Sequence, residues 1–103
     1  MEFIETSIFT KSLSALLSDD EYRLLQNALL RDPQMGDLVR GGGGIRKMRF
    51  AVDGRGKSGG VRVIYYVIPA EAEIYLLLIY PKSKKDSLSA EETAILRALV
   101  KEL

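Results

Sequence analysis

The chain contains no cysteine, no histidine and no tryptophan. Without cysteine there is neither a disulfide framework nor a thiolate metal site. Without histidine as well, a Ser-His-Asp triad, a Cys-His pair, an imidazole acid-base pair and an ordinary zinc site are all excluded. Long apolar runs are missing too: the longest candidate, Ile74 to Tyr80, has the length of a strand, far short of the roughly 18–20 residues of a membrane span. The opening MEFIETSIF carries two acids and no basic residue, so it does not read as a signal peptide. The scattered acids Asp53, Glu71, Glu73 and Asp86 do not form a two-metal constellation. These absences lead us to expect a cytoplasmic protein with no cofactor, no metal ion and no membrane partner. Any chemistry falls to lysine, arginine and tyrosine.

What is present suits one compact domain spanning 1–103. A chain of 103 residues buries roughly 60–70% of the surface its unfolded form exposes, enough to fold without staples. Its 47% hydrophobic and 28% charged content is ordinary for a globular protein. The net charge of +1, however, conceals a segregation. Residues 1–39 hold three bases against seven acids, net −4; residues 40–62 hold seven bases against Asp53, net +6; the remainder is close to neutral. A local cationic excess of that size, inside strand-patterned sequence, is the electrostatic footprint of a polyanion site.

The chain begins with a short β-compatible stretch, Glu2 to Glu5. Thr6 or Ser7 then caps a helix whose apolar residues Ile8, Phe9, Leu13, Leu16 and Leu17 recur at helical spacing. Ser18-Asp-Asp-Glu21 is a capping box opening a second helix, with Tyr22, Leu25 and Leu29 on one face, flanked by Leu24 and Ala28. Asp32-Pro33 ends it, because a residue before proline is pushed out of the α region. Pro33 to Gly44, with four consecutive glycines, is a connector. In Ile45 to Val52, alternation sets Arg46, Met48, Phe50 and Val52 against Lys47, Arg49 and Ala51, placing the apolar set towards the helices and the two bases on the other side. Val61 to Ile68 is almost continuously β-branched or aromatic with Arg62 its one charge, the pattern of a central strand. Pro69 to Glu73 turns the chain into a third apolar strand, Ile74 to Tyr80, completing an antiparallel meander. Ser89-Ala-Glu-Glu92 repeats the capping box and opens a C-terminal helix with Ile95, Leu96, Leu99, Val100 and Leu103 as its apolar stripe. The order is βααβββα: a single small α+β domain with an antiparallel-rich twisted sheet. Two N-terminal helices pack on one face, a C-terminal helix follows, and the other sheet face stays open.

Ala51-Val-Asp-Gly-Arg-Gly-Lys-Ser58 fits a relaxed phosphate-loop pattern, but that mechanism needs the Lys-Ser pair to open a helix. Here two glycines and a strand follow, so the segment reads as a hairpin loop with Arg55 and Lys57 at its tip, still able to touch phosphate. Arg62 is the sharpest single residue, since a charge in an apolar strand is costly unless it is paired or faces a ligand. Its structural alternative is an ion pair with Glu73 or Asp86. Cations alone suit one reaction well: attack of an RNA 2′-hydroxyl on its neighbouring phosphate, which needs in-line geometry, positive charge and proton transfer. Lys47, beside Arg46, Arg49 and Arg62, has its charged form disfavoured by its neighbours and is the candidate base. Of the tyrosines, Tyr65, Tyr66 and Tyr75 read as core or sheet-face aromatics, and Tyr80, at a strand end near the basic tail, is the candidate for stacking on a base.

The runs GGGGIRKMRF, GRGKSGGVRVIYY and IYLLLIYPKSKKDSLS, following a helical pair, resemble the RelE/ParE superfamily of bacterial toxins, closest to its HigB branch. The resemblance implies an α+β toxin that enters the ribosomal A site and cleaves translated mRNA. It also implies a cognate antitoxin, HigA-like and of helix-turn-helix type, through which alone operator DNA is touched. Lys47, Arg49, Arg62 and Lys82 match the catalytic cations by position. Arg46, Arg55, Lys57, Tyr80, Lys84 and Lys85 are expected to contact RNA or ribosome. Some members carry a base-stacking tyrosine where Leu88 stands here. Two other readings remain open: a ParE-like toxin acting on DNA gyrase without hydrolysis, and a non-catalytic RNA-binding module.

Overall fold

The computed structural model describes residues 1–51, 60–85 and 87–103. The element order is β1 (Glu2–Glu5), α1 (Ser7–Leu16), α2 (Asp19–Arg31), β2 (Asp37–Leu38), β3 (Arg46–Phe50), β4 (Val61–Ile68), a 3-10 turn at Pro69–Glu71, β5 (Glu73–Pro81) and α3 (Ala90–Val100). The expected α+β domain and its order are therefore present, with one addition: the connector after α2 contributes the two-residue strand β2. All five strands form one sheet in the order β1-β5-β4-β3-β2. The β3-β4-β5 meander is antiparallel, β2 pairs antiparallel with β3, and β1 joins β5 in parallel.

Helix starts follow the side-chain chemistry at each N-terminus. Thr6 Oγ1 accepts from the Phe9 amide, and both Ser18 and Ser89 form reciprocal capping boxes with Glu21 and Glu92. Asp19, Asp20 and Glu21 in the first turn of α2 complement its dipole. On one sheet face α1 and α2 bury Phe9, Leu17, Leu25 and Leu29 against Met48, Val63, Tyr65, Ile74, Leu76 and Ile79. Full burial of each such aliphatic side chain contributes roughly 1.5–3 kcal/mol.

The other face is not open, contrary to the sequence reading. Leu96 and Val100 of α3 pack there on Ile45, Ile64, Leu77 and Tyr80, forming a second core. The near-continuous apolar runs of β4 and β5 require this, because such strands carry side chains to bury on both faces. The C-terminal stripe is correspondingly narrower than expected. Ile95, Leu99 and Leu103 are exposed, as are Ile8 and Leu24 on the first two helices.

In β5 the register shifts between Ile64 and Tyr65, which oppose Leu78 and Leu76, so Leu77 is an extra, bulged residue. The bulge lets Leu76 and Ile79 enter the first core while Leu77 and Tyr80 enter the second. Thr6 closes it, accepting at its cap while its hydroxyl donates to the Leu77 carbonyl at 2.8 Å.

Candidate nucleic-acid interface

Alternation along β3 sends Met48 into the core under α1 and α2 and turns Lys47 and Arg49 to the face that α3 shares. On β4 the same rule sends Val61 and Val63 inward and leaves Arg62 and Ile64 on the α3 side. Register then decides who meets whom. Arg49 stands directly opposite Arg62, and Arg62 opposite Tyr80; one step along, Lys47 stands opposite Ile64 and Asp37. Directly opposed residues place their Cβ atoms about 4.5–5.5 Å apart. Two guanidinium groups and an ammonium group are thus set on adjoining strands. They border a recess of about 290 Å³, lined also by Met35 and Asp37. Arg49 is exposed while Arg62 is 3% exposed.

The remaining expected residues divide. Lys82 follows β5, is exposed, and its amide still donates to the Gly60 carbonyl at 3.4 Å, so the ladder continues one step past Arg62 and Tyr80. It borders the cationic row from outside the recess. Lys84 is exposed in the following turn. Arg46 is not brought into the cluster: it shares the parity of Met48, and its guanidinium donates to the Gly36 carbonyl at 2.7 Å and the Gln34 carbonyl at 3.3 Å. Lys85 is engaged within the protein, bonded to Glu92 and lying 4.8 Å over the Tyr80 ring. That hydrogen bond, with the backbone bond to Ser89, holds the Glu92 carboxyl below its ordinary range. Tyr80 is 8% exposed within the second core, a position unlike that of an open stacking platform. Arg55, Lys57 and the phosphate-loop-like segment lie outside the described residues. Of the two acids considered as partners for Arg62, Glu73 opposes Ile68 at the far end of β4, and Asp86 lies outside the described residues.

The loop beside the recess is anchored from beneath. Tyr65, fully buried, accepts from the Gly36 amide at 2.9 Å and donates to the Pro33 carbonyl at 2.8 Å. A Cβ at Gly36 would lie 2.9 Å from the Lys47 carbonyl oxygen and from the Tyr65 ring, so glycine is required by contact there. Sequence reasoning missed Asp37, which enters the recess through the unforeseen strand β2. It also passed over Arg40 and Arg97, which line a larger cavity of about 610 Å³ between β2 and α3. Arg40 was counted in the basic block but carried no strand pattern to single it out. Among the described residues no three acids gather closely enough to seat a metal ion.

A family model described as the RelE toxin of the RelE/RelB toxin-antitoxin system matches residues 35–103. The chain belongs to the RelE toxin family. The match runs from the loop under Met35 through α3 and includes the described cationic face. A RelE-family toxin has an antitoxin as its partner, and no helix among the described residues is long and apolar enough to cross a membrane.

Proposed function

We propose that this RelE-family toxin is a ribosome-dependent endoribonuclease of the HigB branch, cleaving translated mRNA without a metal ion and so inhibiting translation. The observation that carries the reading is the register of the cationic row: Arg49 opposite Arg62, with Lys47 on the same face, around one recess. An exposed phosphodiester bridging these groups meets charge from two strands at once, the arrangement that stabilises a pentavalent phosphorus as charge accumulates on its oxygens. The substrate's 2′-oxygen forms a bond to phosphorus, the bond to the 5′-oxygen breaks, and a 2′,3′-cyclic phosphate and a 5′-hydroxyl result. Lys47, in its uncharged amine form, takes the role of accepting the 2′-hydroxyl proton, the departing 5′-oxygen takes a proton from solvent, and Lys82 adds charge from the strand end. The antitoxin is HigA-like, of helix-turn-helix type, and alone contacts operator DNA.

Arg62→Ala and Arg49→Ala are expected to abolish or strongly reduce translation inhibition in cells. Each lost charge-assisted contact weakens transition-state binding by roughly 1.5–3 kcal/mol, or roughly 10–100-fold in rate. Arg49 is exposed, so its variant separates chemistry from any folding defect at the buried Arg62. Primer extension on a translated message is the direct measurement. Codon-phased cuts with the parent and none with the variants support the proposal; undiminished toxicity of both variants, or DNA damage without mRNA cuts, refutes it.

A further inference from the structure

α3 has two unlike flanks. Leu96 and Val100 point into the second core, while Arg97 and Lys101 turn towards Gly43 and Tyr66 on the side of β3 and β2. With about 100° between successive residues, Glu91, Ile95, Leu99 and Glu102, spaced four, four and three apart, fall on the opposite flank. The strand order β1-β5-β4-β3-β2 sets that flank over the β5-β1 margin of the sheet. Ile95 is 61% exposed and Leu99 41%, so the helix leaves both uncovered there. The sheet margin beside them is apolar as well. Phe3 packs on the first core, so alternation turns Ile4 to the α3 side, where register sets it opposite Tyr75. Tyr75 and Leu78 are only half-buried against the second core. Carboxylates close the far end: Glu2 stands directly opposite Glu73, like charge against like. Glu71 joins them, and after burial it is these three acids that raise the Tyr75 phenol.

We propose that this face, Ile95 and Leu99 of α3 with Ile4, Tyr75 and Leu78 of the sheet margin, docks an amphipathic basic helix of the antitoxin. Membership of the RelE family supplies the partner, and the inference rests on that membership and not on the nuclease reading. Charge complementarity supplies the chemistry. Glu2, Glu71, Glu73, Glu91 and Glu102 rim an apolar centre, whereas Arg97 and Lys101 lie on the other flank of the same helix. Such a rim repels a nucleic acid and attracts lysine and arginine. A helix with apolar residues at i, i+3, i+4 and i+7 lays that stripe on Ile95, Leu99 and Tyr75, and its flanking bases reach the carboxylates. One base placed between Glu2 and Glu73 also relieves the repulsion that register builds into the free toxin. A second copy of this chain, presenting its cationic row, is the competing occupant. That row offers exposed charge where this face carries apolar side chains, which favours the antitoxin.

The test uses the full-length toxin and, as probe, the purified product of the gene adjoining its own. Leu99→Asp is compared with the charge-reversed pair Glu2→Lys and Glu73→Lys, and with Ile8→Asp, a control at a residue 59% exposed on α1. Leu99→Asp is expected to weaken binding at least about 30-fold, as for a residue central to an interface. The charge-reversed pair should weaken it about tenfold, through a slower on-rate and a flatter salt dependence, and Ile8→Asp less than about threefold. Variants that still inhibit translation in cells, yet are no longer rescued by the adjoining gene, separate docking from folding. Independently of any variant, hydrogen exchange at the amides of Ile4, Ile95 and Leu99 should slow in the parental complex. Parental affinity in Leu99→Asp and in the charge-reversed pair overturns the proposal, as does an equal loss in Ile8→Asp or slowing confined to β3 and β4. Self-association of the toxin that Leu99→Asp abolishes, with antitoxin affinity unchanged, also overturns it and assigns the face to a second copy. So does a parent that the adjoining product does not bind. Translation inhibition without mRNA cuts would instead overturn the nuclease reading and leave a measured interface here standing.

Discussion

Tyr65 is fully buried, yet both hydrogen-bonding capacities of its hydroxyl are used, one from the Gly36 amide and one to the Pro33 carbonyl. Through those two bonds a core residue of β4 fixes the loop that brings Met35 and Asp37 to the recess. Arg46 ties the same loop from β3, which explains why an arginine in the basic block serves structure while its neighbours Lys47 and Arg49 do not point with it. Removal of the Tyr65 hydroxyl leaves a buried amide without its acceptor. Tyr65→Phe is expected to lower unfolding stability by about 1–3 kcal/mol in urea melts, with a smaller loss of cleavage through the loosened rim. Arg46→Ala should act in the same direction on stability, unlike Arg49→Ala, whose side chain is exposed.

At the scale of elements, the bulge in β5 and the start of α1 are one device. Thr6 caps the helix, its amide donates to the Leu76 carbonyl at 3.1 Å, and its hydroxyl reaches the Leu77 carbonyl across a sequence separation of 71 residues. Thr6→Val keeps the shape and removes both side-chain bonds. It should therefore cost about 2 kcal/mol, more than the roughly 1 kcal/mol expected for Ser18→Ala at the exposed cap of α2. Chemical denaturation of the two variants side by side checks the order. Equal losses would mean that the Leu77 carbonyl finds another donor when the bulge relaxes. The bulge also sets which β5 residues meet α3 in the second core.

For the whole molecule, the absence of histidine and cysteine removes every side chain that ordinarily titrates between the carboxylate and tyrosine ranges. Stability should accordingly be level between about pH 6 and 9 and change at both ends. On the acid side, Glu92 is depressed below its ordinary 4.5 by Lys85 and the Ser89 amide. Its contribution is thus present above that value and lost as pH falls through the depressed one. On the alkaline side, burial raises Tyr22, Tyr65 and Tyr75, with Glu5 reinforcing Tyr22 and Glu73 reinforcing Tyr75. Above about pH 10 the unfolded chain releases protons that the folded one keeps, so stability falls as pH rises. Thermal melts from pH 3 to 11 test both limbs; a step near neutrality would contradict the argument.

Much of this was legible in the residues. Capping boxes at Ser18 and Ser89, proline at 33 and the alternation around Met48 are local signals, because caps, breakers and the twofold strand period act within a few residues. They set the helices, the meander strands and the parity that turns Lys47 and Arg49 away from α1 and α2. Membership of a cation in the site, by contrast, is a matter of register and of what covers each face. Arg62 meets Arg49 through strand pairing, Arg46 goes to a loop carbonyl, Lys85 to Glu92, and α3 chooses the second sheet face. Those outcomes depend on contacts between distant segments, and hydrophobic pattern counts apolar residues without saying which partner will bury them. Sequence alone therefore determined the elements and the supply of positive charge; the tertiary structure decided which charges converge, because convergence is set by pairing across strands and not by proximity along the chain.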